Sequence, residues 1–295
     1  MPGRSHDVAR RSGRTREALM AFAFLAPVLV IFGAFSYYPL YRLVYLSLFQ
    51  RNDNKFLAVP DRWIGWRNIA DTLGGEPFLS GLWVSMRFML LTVPLGLVLG
   101  ILLAVAADRR LRGIRFFQTV FSSTVATSVA VASVVFLTLL QPESGIWRDV
   151  KWLSLNQPGS ALLAVSLSAV WQNGGLTFVI VLAALQAVPE EVKEACLLDG
   201  YGPVRRFFRI TVPMISPALL FLAVVLVVHA LQAYAQFEIL APTDRAQPLL
   251  YKVADPQGVS TTSARAAMSL GLFAVTLVVS LTQFSLLERR VHYGE

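Results

Sequence analysis

Three sets of polar residues stand out against their surroundings. Trp171, Gln172 and Asn173 interrupt one apolar run and are followed by Gly174-Gly175, while His229, Gln232 and Gln236 lie in another at i, i+3, i+7, the spacing of one helical face. The third set is segment 188–217, where Glu190, Glu191, Glu194, Asp199, Arg205, Arg206 and Arg209 lie between two apolar runs. Amides and an imidazole inside apolar runs do hydrogen-bond chemistry: they either tie neighbouring helices together or line a wet path for a polar solute. Both readings are open here. Two glycines beside Asn173 also invite a helix interruption, a common mark of binding sites in transporters. None of these sets is catalytic. The chain has no GxxxxGK[ST] loop, no HExxH, no paired Cys/His set and no GxSxG elbow, so no catalytic residue, metal site or resident cofactor is expected. Any energy source must come from another chain.

The polar segment reads as two short helices around a turn. Val188-Pro189 ends the preceding helix and starts the next, with Glu190 and Glu191 in its first turn and Val192, Ala195 and Cys196 as its apolar face. Glu194 lies off that face. Asp199-Gly200 is a stop, and Gly202-Pro203 starts a second helix with Val204, Phe207 and Phe208 on one side and Arg205, Arg206 and Arg209 toward its end. Such an element is either a surface-lying loop or a docking element for a soluble partner.

These residues need a membrane scaffold to position them. The 295 residues are 55% hydrophobic and only 15% charged, which excludes an ordinary soluble domain, and the single cysteine excludes an intrachain disulfide. A net charge of +8 could suggest nucleic acid, but the arginines occur in short blocks between apolar runs, so no nucleic-acid partner is expected. Six runs have spanning length, at about 18–48, 82–107, 116–140, 161–187, 217–241 and 266–287. The fold class is therefore an all-α membrane protein, a six-helix bundle surrounded by membrane lipid; the period-two pattern of a barrel is absent.

Lys and Arg alternate unequally across the membrane, fifteen on the side of the termini and nine on the other, which predicts cytoplasmic N and C termini and puts segment 188–217 in the cytoplasm. Residues 1–17, with Arg4, Arg10, Arg11, Arg14 and Arg16, form a cytoplasmic basic arm, expected to be uncleaved; residues 18–295 form the transmembrane domain. The external loop after the first span, about 50–81, is expected to form a small cap, with Trp63 and Trp66 as interface anchors. Arg87 and Arg42 sit near span ends and are expected to reach the headgroups. Ser122, Ser123, Thr124, Thr127 and Ser128 in the third span read as close helix packing.

Glu194-Ala195-Cys196, two residues, Asp199-Gly200, then Phe207, Ile210, Pro213 and Pro217 resembles the EAA loop of permease subunits of bacterial ATP-binding-cassette importers. Cys196 replaces the second Ala and Tyr201 replaces the usual Ala after Gly. The stretches 113–145 and 170–195 and the ending LTQFSLLERRVHYGE are similar to the carbohydrate-uptake group, most of all to A-type permeases of sn-glycerol-3-phosphate importers.

The resemblance implies a type I importer permease fold in a bacterial plasma membrane. It implies pairing with a second permease subunit, two cytoplasmic ATPase subunits carrying ATP and Mg, and an extracytoplasmic substrate-binding protein. It also implies that Glu194, Ala195, Cys196, Asp199, Gly200, Tyr201, Pro203, Arg206 and Phe207 couple to the ATPase. The cargo implied is sn-glycerol-3-phosphate or a glycerophosphodiester such as glycerophosphocholine, with a di- or oligosaccharide as the alternative. A non-transporting membrane scaffold for an ATPase is the reading from a different class. The spans hold no cation at mid-membrane, so solute contact is expected from Trp171, Gln172, Asn173, His229, Gln232 and Gln236.

Overall fold

The computed structural model describes residues 20–50, 61–108, 112–141, 143–157, 159–240, 246–255 and 261–288. In chain order its elements are helix α1 (Met20–Leu48), a hairpin of β1 (Phe49–Gln50) and β2 (Arg62–Trp63), and helices α2 (Gly65–Leu73), α3 (Glu76–Ala107), α4 (Ile114–Ala126), α5 (Val129–Leu140) and α6 (Ala161–Gln186). There follow α7 (Glu190–Leu198), α8 (Pro203–Met214), α9 (Ser216–Leu231), α10 (Ala235–Leu240), α11 (Leu249–Ala254) and α12 (Thr262–Glu288).

Among the described residues four helices, α1, α3, α6 and α12, are long and apolar enough to cross a membrane unbroken, each pairing its backbone groups within its own segment. The other two expected spans are broken. The third bends by 103° between α4 and α5, and the chain bends by 73° between α8 and α9. The fifth run is also interrupted after Leu231 and resumes as helix at Ala235–Leu240, while residue 241 lies outside the described residues. The basic arm, Arg109, Arg110, Arg289 and Arg290, which carry much of the predicted orientation, lie outside them too.

The chain divides into two compact units, residues 1–69 with 261–270 and residues 70–260 with 271–295. In the first, Tyr45 stacks on Phe49 and Phe49 meets Trp63 edge-on across the hairpin, with ring centroids 4.3 and 4.8 Å apart. Asn68 Nδ2 donates to the Ser47 and Ser263 carbonyls at 2.8 and 3.3 Å. The expected cap over 50–81 is thus the hairpin plus α2, with Trp63 and Trp66 exposed and residues 51–60 outside the description.

In the second unit α3 and α6 pack along each other, and α4, α9 and α10 pack around them. Their apolar side chains form two clusters. One holds Phe88, Val93, Phe136, Val165, Leu226 and Phe237; the other holds Ala104, Phe178, Val181, Leu185, Ile215 and Leu222. Between these two clusters along α3 and α6 lie Gly96, Gly100, Gln172, Asn173, Gly174 and Gly175. Added side chains there have no room. A Cβ on Gly96 would lie 2.5 Å from Asn173 Cβ, one on Gly174 2.8 Å from Leu99 Cδ2, and one on Gly175 would overlap Thr124 Oγ1. The expected helix break at Gly174-Gly175 is therefore corrected: α6 runs through it unbroken, and the glycines serve close helix approach.

Candidate functional site

Two concave regions gather the residues singled out above. The first lies under the α7–α8 loop. Helix α7 ends at Leu198, and its last carbonyls are closed by a pair of backbone bonds: Gly200 N donates to Leu197 O at 3.1 Å and Tyr201 N to Cys196 O at 3.0 Å. That pattern needs a left-handed residue, and Gly200 supplies it at φ 71°. Gly202 is then the N-cap of α8, Pro203 fits its first turn, and Arg206 N donates to Gly202 O at 2.9 Å. The Arg205 guanidinium lies 4.9 Å over the Tyr201 ring, so the tyrosine at the Ala position of the pattern braces the turn.

A cavity of about 710 Å³ opens between this loop and the ends of α3, α4 and α6. Glu190, Glu194, Pro203, Arg206 and Phe207 line it from the loop side, facing Asp108 and Arg115. Cys196 is buried, whereas Ala195, Asp199 and Gly200 are exposed and Tyr201 is half-buried. Two face assignments need correction. Val192 and Cys196 turn inward without Ala195, because successive helical residues diverge by about 100°. For the same reason Phe207 lines the cavity while Phe208 and Val204 face out, 66% and 69% exposed. Leu198, at the end of α7, is 90% exposed as well, whereas Leu197 lines the cavity one helical repeat beyond Glu190 and Glu194.

The second region lies at mid-span. A cavity of about 370 Å³ is lined by Gln172, Asn173, His229, Gln232 and Gln236, together with Phe88, Thr92 and Tyr234. His229, Gln232 and Gln236 do not share one helix face, contrary to their spacing. Helix α9 ends before Gln232, which takes φ −100° and ψ 18°, and α10 starts at Ala235. Glu238 N then donates to Tyr234 O at 2.9 Å, so the chain bends around Tyr234 and brings Gln236 back to the same cavity. Trp171 is not among the lining residues; it packs against Phe136, with ring centroids 6.0 Å apart. No Lys, Arg, Asp or Glu among the described residues lines this cavity. Among the described residues no group of three or more His, Cys, Asp or Glu could hold a metal ion.

One wall is the break in the third span. Thr127 is extended at φ −80° and ψ 123°, and the Ser128 hydroxyl caps α5 by accepting from Val131 N at 3.2 Å. Gln172 Nε2 donates to the Thr127 carbonyl at 3.2 Å. Of the hydroxyls read as close packing, Thr124 does meet Gly175, whereas Thr127 and Ser128 make the bend. Arg87, exposed on α3, lies 4.6 Å over the Trp83 ring.

A family profile described as "Binding-protein-dependent transport system inner membrane component" matches residues 96–293. The chain is 29% identical to the sn-glycerol-3-phosphate transport system permease protein UgpA of Agrobacterium fabrum, over 94% of this chain and 97% of that protein. It is 30% identical to the protein of the same name from Yersinia enterocolitica, over 93% and 96%. A bacterial ABC transporter involved in the import of the acidic polysaccharide alginate superposes with a TM-score of 0.75 at 21% identity, covering 95% of this chain and 99% of that one. The MetNI methionine ABC transporter in an inward-facing conformation superposes at 0.58 and 12% identity, over 74% and 100%.

Proposed function

The chain belongs to the family of binding-protein-dependent transport system inner membrane components, and from that premise we propose that it is the permease subunit through which an ATP-binding-cassette importer moves sn-glycerol-3-phosphate or a glycerophosphodiester such as glycerophosphocholine into the cytoplasm. It is a multi-pass inner-membrane transport subunit of the carbohydrate-uptake type. In the proposed arrangement both termini and the α7–α8 loop are cytoplasmic. A second permease subunit completes the translocation path, two ATPase subunits hold ATP and Mg, and an extracytoplasmic binding protein delivers the solute.

The observation that carries the reading is the mid-span cavity. Its volume of about 370 Å³ lies within the range of small-molecule sites, and its amides and imidazole can hydrogen-bond hydroxyl and phosphoryl oxygens. Among the described residues, only Gln172 of the lining side chains is tied to a neighbouring segment by a hydrogen bond, which supports a solute path over a scaffold held together by these amides. The absence of a cation from the lining favours a second cargo, a di- or oligosaccharide, since a phosphomonoester is best held by Arg or a comparable donor set. A zwitterionic phosphodiester needs less countercharge and sits between the two.

The test is uptake and ATPase stimulation in liposomes holding the full complex and its binding protein. Glycerol-3-phosphate or glycerophosphocholine is expected to stimulate both. Stimulation by maltose or trehalose with none by either phosphate compound would overturn the cargo in favour of a sugar.

A further inference from the structure

We propose that Gln172 is a positioning residue: its amide lines the mid-span cavity and also holds the break between α4 and α5, so that a solute competing for that amide releases the bend of the third span. The inference rests on the reading of this cavity as a solute site.

The break leaves a carbonyl that neither helix can use. Thr127 N still donates to Thr124 O at 3.2 Å, closing α4, but the extended backbone of Thr127 turns its own carbonyl out of both helices. A peptide carbonyl without a partner in hydrocarbon is costly, and Gln172 Nε2 supplies the partner from a helix 45 positions further along the chain. The α5 side needs no such help, because Ser128 caps it locally. The bend is thus anchored on one side by its own hydroxyl and on the other by a side chain of α6.

That side chain stands on backbone that cannot shift. Asn173 lies against Gly96, Gly174 against Leu99 and Gly175 against Thr124, so close packing fixes α6 just beyond residue 172. What remains free to switch is the Gln172 amide itself. Val129, the first residue of α5, lines the same cavity, so occupancy and bend meet at one point. Nε2 carries two N–H donors, so a solute breaks the latch when, in accepting from them, it turns the amide away from Thr127, and a solute hydroxyl can donate to the freed carbonyl in return. Cavity filling and the latched bend of the third span then become alternatives that share one amide.

The test uses the assembled complex in liposomes, with Cys196→Ser removing the native thiol and spin labels at Ser123 and Val134 on either side of the break. Without any solute, Gln172→Leu is expected to shift or broaden the label distance, and Gln172→Met, of similar length but with no N–H to donate, to do the same. Gln232→Leu, in the same cavity but away from the break, is expected to leave it unchanged. An unaltered distance in both Gln172 variants overturns the proposal whatever the complex transports, so a wrong cargo and a wrong latch are told apart. In uptake of glycerol-3-phosphate, glycerophosphocholine or maltose, whichever the wild type carries, Gln172→Leu is expected to lower the maximal rate about tenfold with a smaller change in half-saturation. A change confined to half-saturation would make Gln172 an ordinary solute contact and overturn the positioning role. Only complexes that co-purify with the ATPase are measured, which removes misassembled variants.

Discussion

The cavity under the α7–α8 loop and the cavity at mid-span are both walled by α3 and α6, yet they are made of opposite materials. The first gathers Asp108, Glu190, Glu194, Arg115 and Arg206; the second gathers three glutamines, an asparagine and a histidine, with no fixed charge. Helix ends meet water, where charges stay solvated, whereas a charge between the spans would be stripped of solvent at a cost of several kcal/mol. The two also differ in how the backbone shapes them. The loop cavity is framed by a turn built from Gly200, Gly202 and Pro203, while the mid-span cavity is framed by two breaks, at Thr127-Ser128 and Gln232–Tyr234, that contain neither glycine nor proline. If the first region receives force and the second holds solute, damage to one should stop movement outright and damage to the other should alter recognition.

The sharpest way to break this contrast is Gly200→Pro. Proline fixes φ near −65°, opposite to the 71° found here, and it deletes the N–H that donates to Leu197 O at 3.1 Å. Uptake should fall to background while the amount of membrane-inserted chain stays near normal, since the turn lies outside the spans. Transport assays paired with quantitation of the inserted chain check this. Near-normal uptake in an assembled complex would remove the coupling role from the loop and leave the two cavities undistinguished.

A smaller effect is expected at mid-span from Gln232→Ala. Loss of one hydrogen bond to a solute is worth about 1 kcal/mol, so half-saturation for uptake should rise by roughly fivefold. The ATPase should remain bound at wild-type stoichiometry. Co-purification and uptake titrations measure both quantities, and an unchanged titration would return the cavity lining to a role in helix packing.

The same contrast explains what could be read from the residues alone. The α7–α8 turn was legible to the residue because Asp199-Gly200 and Gly202-Pro203 act through local backbone geometry, with no need for the rest of the fold. The apolar runs were legible for the same local reason, since length and composition decide whether a segment can span. The mid-span cavity was legible only as a set of residues. Gln172, Asn173, His229, Gln232 and Gln236 do converge, but through a turn at Tyr234 and a bend at Thr127 that helical spacing would have denied. Trp171 shows the reverse error: a neighbour in sequence, it faces Phe136 because adjacent helical positions diverge. Gly174-Gly175 signalled either a break or a close crossing, and only the partners Leu99 and Thr124 decide between them.

Cys196→Ala gives the smallest expected effect and tests how far the loop depends on its own packing rather than on its exposed surface. Cys196 is 6% exposed, and its carbonyl accepts from Tyr201 N at 3.0 Å, a bond that the substitution leaves in place. Alanine removes one buried sulfur and restores the small residue of the family pattern, so the loss of packing should be about 1 kcal/mol, offset in part by alanine's higher helix propensity. In the proposed coupling, force would pass through the backbone arrest at Gly200 and the outward Leu198, Val204 and Phe208, and the substitution alters none of them. ATPase stimulation should therefore remain within about twofold of wild type, and thermal dissociation of the complex should shift by only a few degrees. Loss of stimulation from so small a deletion would mean that force passes through the buried side of α7, and the division between a packed inner face and a docking outer face would have to be redrawn.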